Sequence, residues 1–284
     1  MNSFAHFRRS KNTMSLALLA VATLVVTFGA SGCVKLKARD QLNKGVVAYT
    51  NGKYDQAVEH FKQAKELDPT LMNARLYLAT AYATQYIPGA PSEENMRMGQ
   101  QAVKEFQDVL SIDPSNISAI DGIGSILYNM ASTPFTASRY EESKSYHMKH
   151  IALKPEDPDP YYWVGVIDWT LAYRSHLEMR GKWRLAHPGK PLKDDDPMPA
   201  DIREEYAKEN SQLIDEGIEK LRKAIELRPD YDDAMAYLNL LLRRKADEVS
   251  SPDERASLLE QADALIDKAK EIKQKKAEAP AKTS

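Results

Sequence analysis

The sequence predicts an all-α chain of repeated helix pairs, and three observations predict it. Four short strings recur, LDP at 67–69, IDP at 112–114, LKP at 153–155 and LRP at 227–229, each closing a stretch of helical apolar spacing. A large–small residue pair follows each string: Leu78-Ala79, Ile123-Gly124, Val164-Gly165 and Leu238-Asn239. Only 12 of the 284 residues are glycine, and no GxGxxG or GxxxxGK[ST] string appears, which disfavours nucleotide-binding folds.

The N-terminus reads as an address. Residues 1–14 are polar with three positive charges, Arg8, Arg9 and Lys11, and residues 15–30 (SLALLAVATLVVTFGA) carry none. Ala30, Ser31 and Gly32 then lead into Cys33, the single cysteine. This is the layout of an export signal, and its apolar run is shorter than the roughly 20 residues of a membrane span. The segment resembles a bacterial lipoprotein signal, with Ala30 where Leu is commonest. That resemblance implies a signal peptide over 1–32, lipid (palmitate included) on Cys33, a short tether over 33–37 and a periplasm-facing anchor at the bacterial cell envelope. No Asp follows the cysteine, which favours the outer membrane under the sorting rule of some enteric bacteria. The alternative is an uncleaved signal anchor in which Cys33 is a small packing residue.

Beyond the signal, each proline fixes a register. Counting back 12, 8, 5 and 2 residues gives Ala57, Phe61, Ala64 and Leu67, then Ala102, Phe106, Val109 and Ile112. The third string gives Ser143, His147, His150 and Leu153, and the fourth Gly217, Leu221, Ala224 and Leu227. Steps of four, three and three residues place each set on one helical face, and proline ends the helix because it lacks an N–H. The helix after each proline carries its large–small pair where a neighbour must approach closely. Gly45 holds the equivalent place in the first unit and is followed by Gly52, Tyr54 and Ala57.

The stretch NKGVVAYTNGKYDQAVEHFKQAKELDP resembles the tetratricopeptide repeat, a helix–turn–helix of about 34 residues with an early Gly, Ala and Phe in its second helix and a closing Pro. The resemblance implies a right-handed solenoid of units at 38–71, 72–116, 117–157 and 158–231, with a degenerate terminal pair at 232–272. The prolines stand 45, 41 and 74 residues apart, so insertions fall between the two helices of a unit. These are YIPGAPSEENMRM, ASTPFTASR and a long stretch over about 174–210. Ser251-Pro252-Asp253-Glu254 reads as the start of the last helix, and 273–284 as a disordered tail.

Repeats of this family recruit partners along the concave face made by each first helix. In the fourth unit Tyr162, Val166 and Trp169 share that face, and the equivalent positions include Tyr49 in the first unit and Tyr128 in the third. These five are the candidate protein- or peptide-binding residues, against the simpler reading of inter-repeat packing. Members that clamp a terminal carboxylate place Lys, Asn and Arg there, whereas this face is mostly apolar or aromatic. His147 and His150 share a helix face but lack a third ligand at metal-site spacing, and they stand where the repeat has Phe and Ala. Asp194-Asp195-Asp196 lacks the alternating ligands and the Gly of a calcium loop, so HPGKPLKDDDPMPAD reads as solvated loop.

The chain carries a net charge of −2, and from Cys33 onward 36 basic residues face 41 acidic ones, a net of −5. That gives no basic footprint for nucleic acid. No cofactor, metal centre or nucleophile motif is indicated. The sequence therefore points to a non-enzymatic scaffold binding envelope proteins or peptides. The competing class is an envelope enzyme, or an accessory subunit of one, with its site in the 174–210 insertion.

Overall fold

The computed structural model describes residues 32–131, 138–193 and 196–278. Among these the elements are helices: α1 over 32–50, α2 (Tyr54–Leu67), α3 (Met72–Gln85), α4 (Glu93–Ile112), α5 (Ile117–Met130), α6 (Ser138–Leu153), α7 (Pro158–Ala186), α8 (Ala200–Leu227), α9 (Asp232–Ala246) and α10 (Pro252–Glu278). None of them is long and apolar enough to cross a membrane. The chain divides into two compact units, one reaching to Pro114 and one starting at Ser115. The export-signal segment 1–31 lies outside the described residues, as does the 132–137 part of ASTPFTASR.

Each recurring proline stands two residues beyond a helix end, and the next helix starts three residues after it. Residues at −12, −8 and −5 from each proline are buried; Ala57, Ala64, Ser143, Leu221 and Ala224 are completely so. The −2 residues depart from the expected face: Ile112 is 55% and Leu153 46% exposed. They occupy the final helical position, past the crossing with the neighbouring helix.

The −8 residue is the knob of each close crossing. In the first unit a Cβ built on Gly45 would stand 2.4 Å from the Phe61 ring, so α1 and α2 touch at a contact only glycine permits. In the second unit Gly165 meets Leu221 at the same 2.4 Å, and Gly124 meets His147 at 2.8 Å. Three different large residues thus fill one structural role. The 86–92 connection in the first unit is held by Asn95 of α4, whose side chain donates to the Ile87 and Ala90 carbonyls and accepts from the Ile87 N–H.

Three expectations are corrected. The 33–37 tether is helical: α1 already runs through these positions, its side chains exposed there and first buried at Ala38. The 273–284 tail is helical to Glu278, because Lys276 reaches back to the Asp230 carbonyl and the Asp232 carboxylate. Its remainder, 279–284, lies outside the described residues.

The 174–210 insertion is mostly helix as well. It lengthens α7 to 29 residues and α8 to 28, leaving 187–199 as the connection. Fully buried Tyr206 donates to the Ala172 carbonyl, and Asn210 to Ser175 and the Tyr206 carbonyl, which zips the two extensions together. Arg180, 2% exposed, donates to the Asp196 and Lys193 carbonyls, and Met198 is completely buried, so the connection is anchored rather than solvated throughout. Asp194 and Asp195 lie outside the described residues; the Asp196 carboxylate accepts from the Lys193 N–H.

Candidate functional site

In the second unit, aromatic side chains from the first helices of successive pairs converge. Tyr128 on α5 lies edge-on to Trp163 on α7, ring centroids 5.6 Å apart, and its hydroxyl is 3.3 Å from Thr170 Oγ1. Tyr162 meets Trp163 at 5.5 Å, Tyr231 at 5.0 Å and Tyr237 on α9 at 5.7 Å. Trp169 stacks on Tyr173 at 5.1 Å and presents an edge to Tyr237 at 5.3 Å. Tyr237 thereby joins Tyr162 and Trp169 into one strip. All are half-buried except Tyr173, which is exposed, so part of the strip's π surface faces solvent. Burial, the largest cause, raises the phenol pKa of Tyr128, Tyr162, Tyr231 and Tyr237 above its ordinary value. These hydroxyls stay neutral at physiological pH and can donate.

The sequence-predicted residues divide. Tyr128, Tyr162 and Trp169 belong to the strip. Val166 is a correction: it is 1% exposed and cannot meet a partner. At 3.6 residues per turn it stands about 60° around α7 from Trp169, on the side that packs inward. Tyr49 lies in the first unit, edge-on to Tyr54 at 5.3 Å and 2.8 Å from Thr84 Oγ1. It lines a separate cleft of about 280 Å³ with Val46, Phe61, Tyr77 and Thr80. Sequence reasoning missed Trp163, Tyr173, Tyr231 and Tyr237. Tyr173 was within reach, since it follows Trp169 by one helical turn.

His147 occupies the Phe position literally, under Gly124 and stacked on Trp163 at 5.9 Å. Neither ring nitrogen has a hydrogen-bond partner among the described residues, and burial pushes its pKa down to about 4. Its neighbour His150 instead pairs with Asp121 at 2.8 Å. His147→Phe should therefore leave stability unchanged or raise it by about 1 kcal/mol, because two desolvated nitrogens are removed. The pH profile should change too. In the wild type the unfolded chain binds a proton near pH 6.5 that the folded one takes up only near 4, so stability falls as pH drops through that window. Urea titrations at pH 7 and 4.5 should show a smaller acid loss in the variant.

The helical insertion carries a cleft of about 360 Å³ between α7 and α8, lined in part by Trp183, His187, Asp201 and Glu205. Trp183 Nε1 donates to Asp201, while His187 turns Nδ1 to the Trp183 carbonyl and holds Nε2 3.9 Å from Asp201. The hydroxyl of Ser175, also in the cleft, accepts from Asn210. At the other end of the chain Cys33 is exposed at the start of α1.

The tetratricopeptide repeat family matches residues 38–71. No curated protein matches the chain by sequence. Among solved structures, the chain is similar to a crystal structure of MamA protein, 16% identical, with 87% of this chain and 98% of that one covered at a TM-score of 0.53. It is also similar to MamA from residue 41 onward of Desulfovibrio magneticus RS-1, 17% identical, covering 84% and 96% with a TM-score of 0.53. At these identities the likeness concerns the fold. Residues 38–71 are thus a tetratricopeptide repeat, and the glycine–knob crossings and proline-set register carry the same helix-pair pattern onward through the described residues.

Proposed function

We propose that this chain is a non-catalytic scaffold that holds a protein or peptide segment against the aromatic face of α5, α7 and α9. The observation that carries the reading is the strip itself: Tyr128, Tyr162, Trp163, Trp169 and Tyr237 lie on three successive first helices, the surface tetratricopeptide repeats offer to partners, and remain partly open. Large rigid aromatics supply contact area at low entropic cost, and they dominate many interfaces. The scaffold would be tethered through lipid on Cys33, facing the periplasm, with the outer membrane preferred. Support for the tether comes from the sequence and from the exposure of Cys33.

Trp169→Ala tests the face. Peptides selected from a displayed library on the purified protein should bind the variant about 2 kcal/mol more weakly, while helical content stays nearly intact. If the variant instead melts early and its folded fraction binds normally, Trp169 is a packing residue and the face is not the site. The tether has its own test. Cys33→Ser should abolish incorporation of labelled fatty acid and leave an unprocessed precursor; a wild-type protein that takes up no label overturns the lipid reading.

A further inference from the structure

The strip already holds one cation of its own chain. The Arg228 guanidinium lies over the Tyr231 ring at 4.4 Å and pairs with Asp159 at 2.9 Å, and the Tyr231 hydroxyl donates to the same carboxylate oxygen. Stacking on an aromatic face with a carboxylate behind it is an arginine-recognition geometry.

The ring and the carboxylate recur next to it without the arginine, since Tyr162 also meets Tyr231 at 5.0 Å. Tyr162 and Tyr237 present edge and face to each other at 5.7 Å, and Asp233 stands one helical turn before Tyr237 on α9. Asp233 is exposed and makes no hydrogen bond or ion pair among the described residues. After burial, which acts first on both phenols, the Asp233 charge helps hold Tyr162 and Tyr237 above their ordinary pKa, so the carboxylate acts on both rings. More negative charge gathers at this end. Asp157 and Asp159 act on Asp121 there, and Asp121 and Asp157 stand on either side of His150. Arg228 is the cation paired with this group, through Asp159.

We propose that the segment docked on this face carries an arginine whose guanidinium lies on the solvent-facing parts of the Tyr162 and Tyr237 rings beside Asp233. The inference rests on the docking reading above and adds the chemistry of the occupant. The excess of carboxylates repels an acidic segment and favours a basic one. Arginine is preferred to lysine because its plane stacks on a ring while its edge pairs with a carboxylate, whereas an ammonium is a compact and strongly hydrated charge.

The probe is a fluorescein-labelled octapeptide of alternating glycine and arginine, compared with its lysine and citrulline counterparts by anisotropy on the purified protein at 150 mM salt. Citrulline keeps the planar shape and loses the charge. The arginine peptide should bind at least fivefold more tightly than the lysine peptide, and the citrulline peptide should not bind. Asp233→Asn and Tyr237→Leu should each weaken the arginine peptide about fivefold, with melting curves showing both variants folded. Glu209→Gln, a carboxylate of the α7–α8 cleft, should change binding less than twofold. Equal affinity for arginine and lysine, or equal losses in Asp233→Asn and Glu209→Gln, would mean diffuse attraction to an acidic protein and overturn the proposal. If library-selected peptides bind through Trp169 while the arginine peptide does not, the arginine proposal falls and the docking reading stands. If neither binds, both fall.

Discussion

Ala64→Arg should destabilise the first unit by about 3 kcal/mol or more, through overpacking and an unpaired buried charge together. Ala64 is completely buried on α2, one turn beyond Phe61, the knob that presses on Gly45. Nothing at that depth can yield cheaply, because the α1–α2 contact is already at the closest approach a glycine allows. A long side chain must therefore either part the helices or leave its guanidinium in an apolar crossing. Gln63→Arg, an exposed change on the same helix, should stay within about 0.5 kcal/mol. Urea titration of both variants measures the difference. An unchanged midpoint for Ala64→Arg would show that the proline-set register is misplaced.

That register was legible in the sequence because it is written in residues with backbone consequences. Proline stops a helix wherever it stands, and a Gly or Ala at a crossing is demanded by geometry, so Gly45, Gly124 and Gly165 marked their contacts before any partner was known. The long insertion was not legible, for a physical reason. The stretch RSHLEMRGKWRLA fills inward-facing positions of α7 with His176 and Arg180, which break the apolar period. These side chains are buried beside distant polar groups: the Asp247 carboxylate, 3.2 Å from His176, and the carbonyls of Lys193 and Asp196, to which Arg180 donates. Periodicity cannot see such partners. The candidate site was half legible in the same sense. Helical spacing put Tyr162 and Trp169 on one face, but it also admitted Val166, and it could not supply Tyr231 or Tyr237 from the next pair. A face is a property of one helix, whereas a site needs to know what the neighbouring helix brings to it.

Lys144→Met should destabilise the second unit by about 3 kcal/mol at pH 8, because it strands a buried charge. The Lys144 ammonium links three helices, 2.7 Å from Asp168 on α7 and 2.9 Å from Glu216 on α8. Asp168 is completely buried, and its second carboxylate oxygen has no hydrogen-bond partner among the described residues. Burial pushes its pKa up from 3.8 to about 7, an effect that Lys144 only partly offsets. Burial pulls Lys144 down in turn, but the two carboxylates outweigh it and hold the amine charged. The sign of the pH dependence follows. Between pH 3.8 and 7 the folded chain keeps a proton on Asp168 that the unfolded chain has lost, so this group favours folding at low pH and ceases to as pH rises through 7. Without Lys144 the carboxylate is harder still to ionise, so the cost of the substitution must grow with pH. At pH 5 the group is neutral in both proteins, and the loss should shrink to about 1.5 kcal/mol, the lower end of what a hydrogen bond to a charged group is worth. Adding Asp168→Asn removes the stranded charge and should restore most of the stability lost at pH 8. Denaturation of the single and double variants at pH 5 and pH 8 decides the matter. A loss equal at both pH values, or no rescue by the second substitution, would show that Lys144 acts through its aliphatic packing and not through the buried pair.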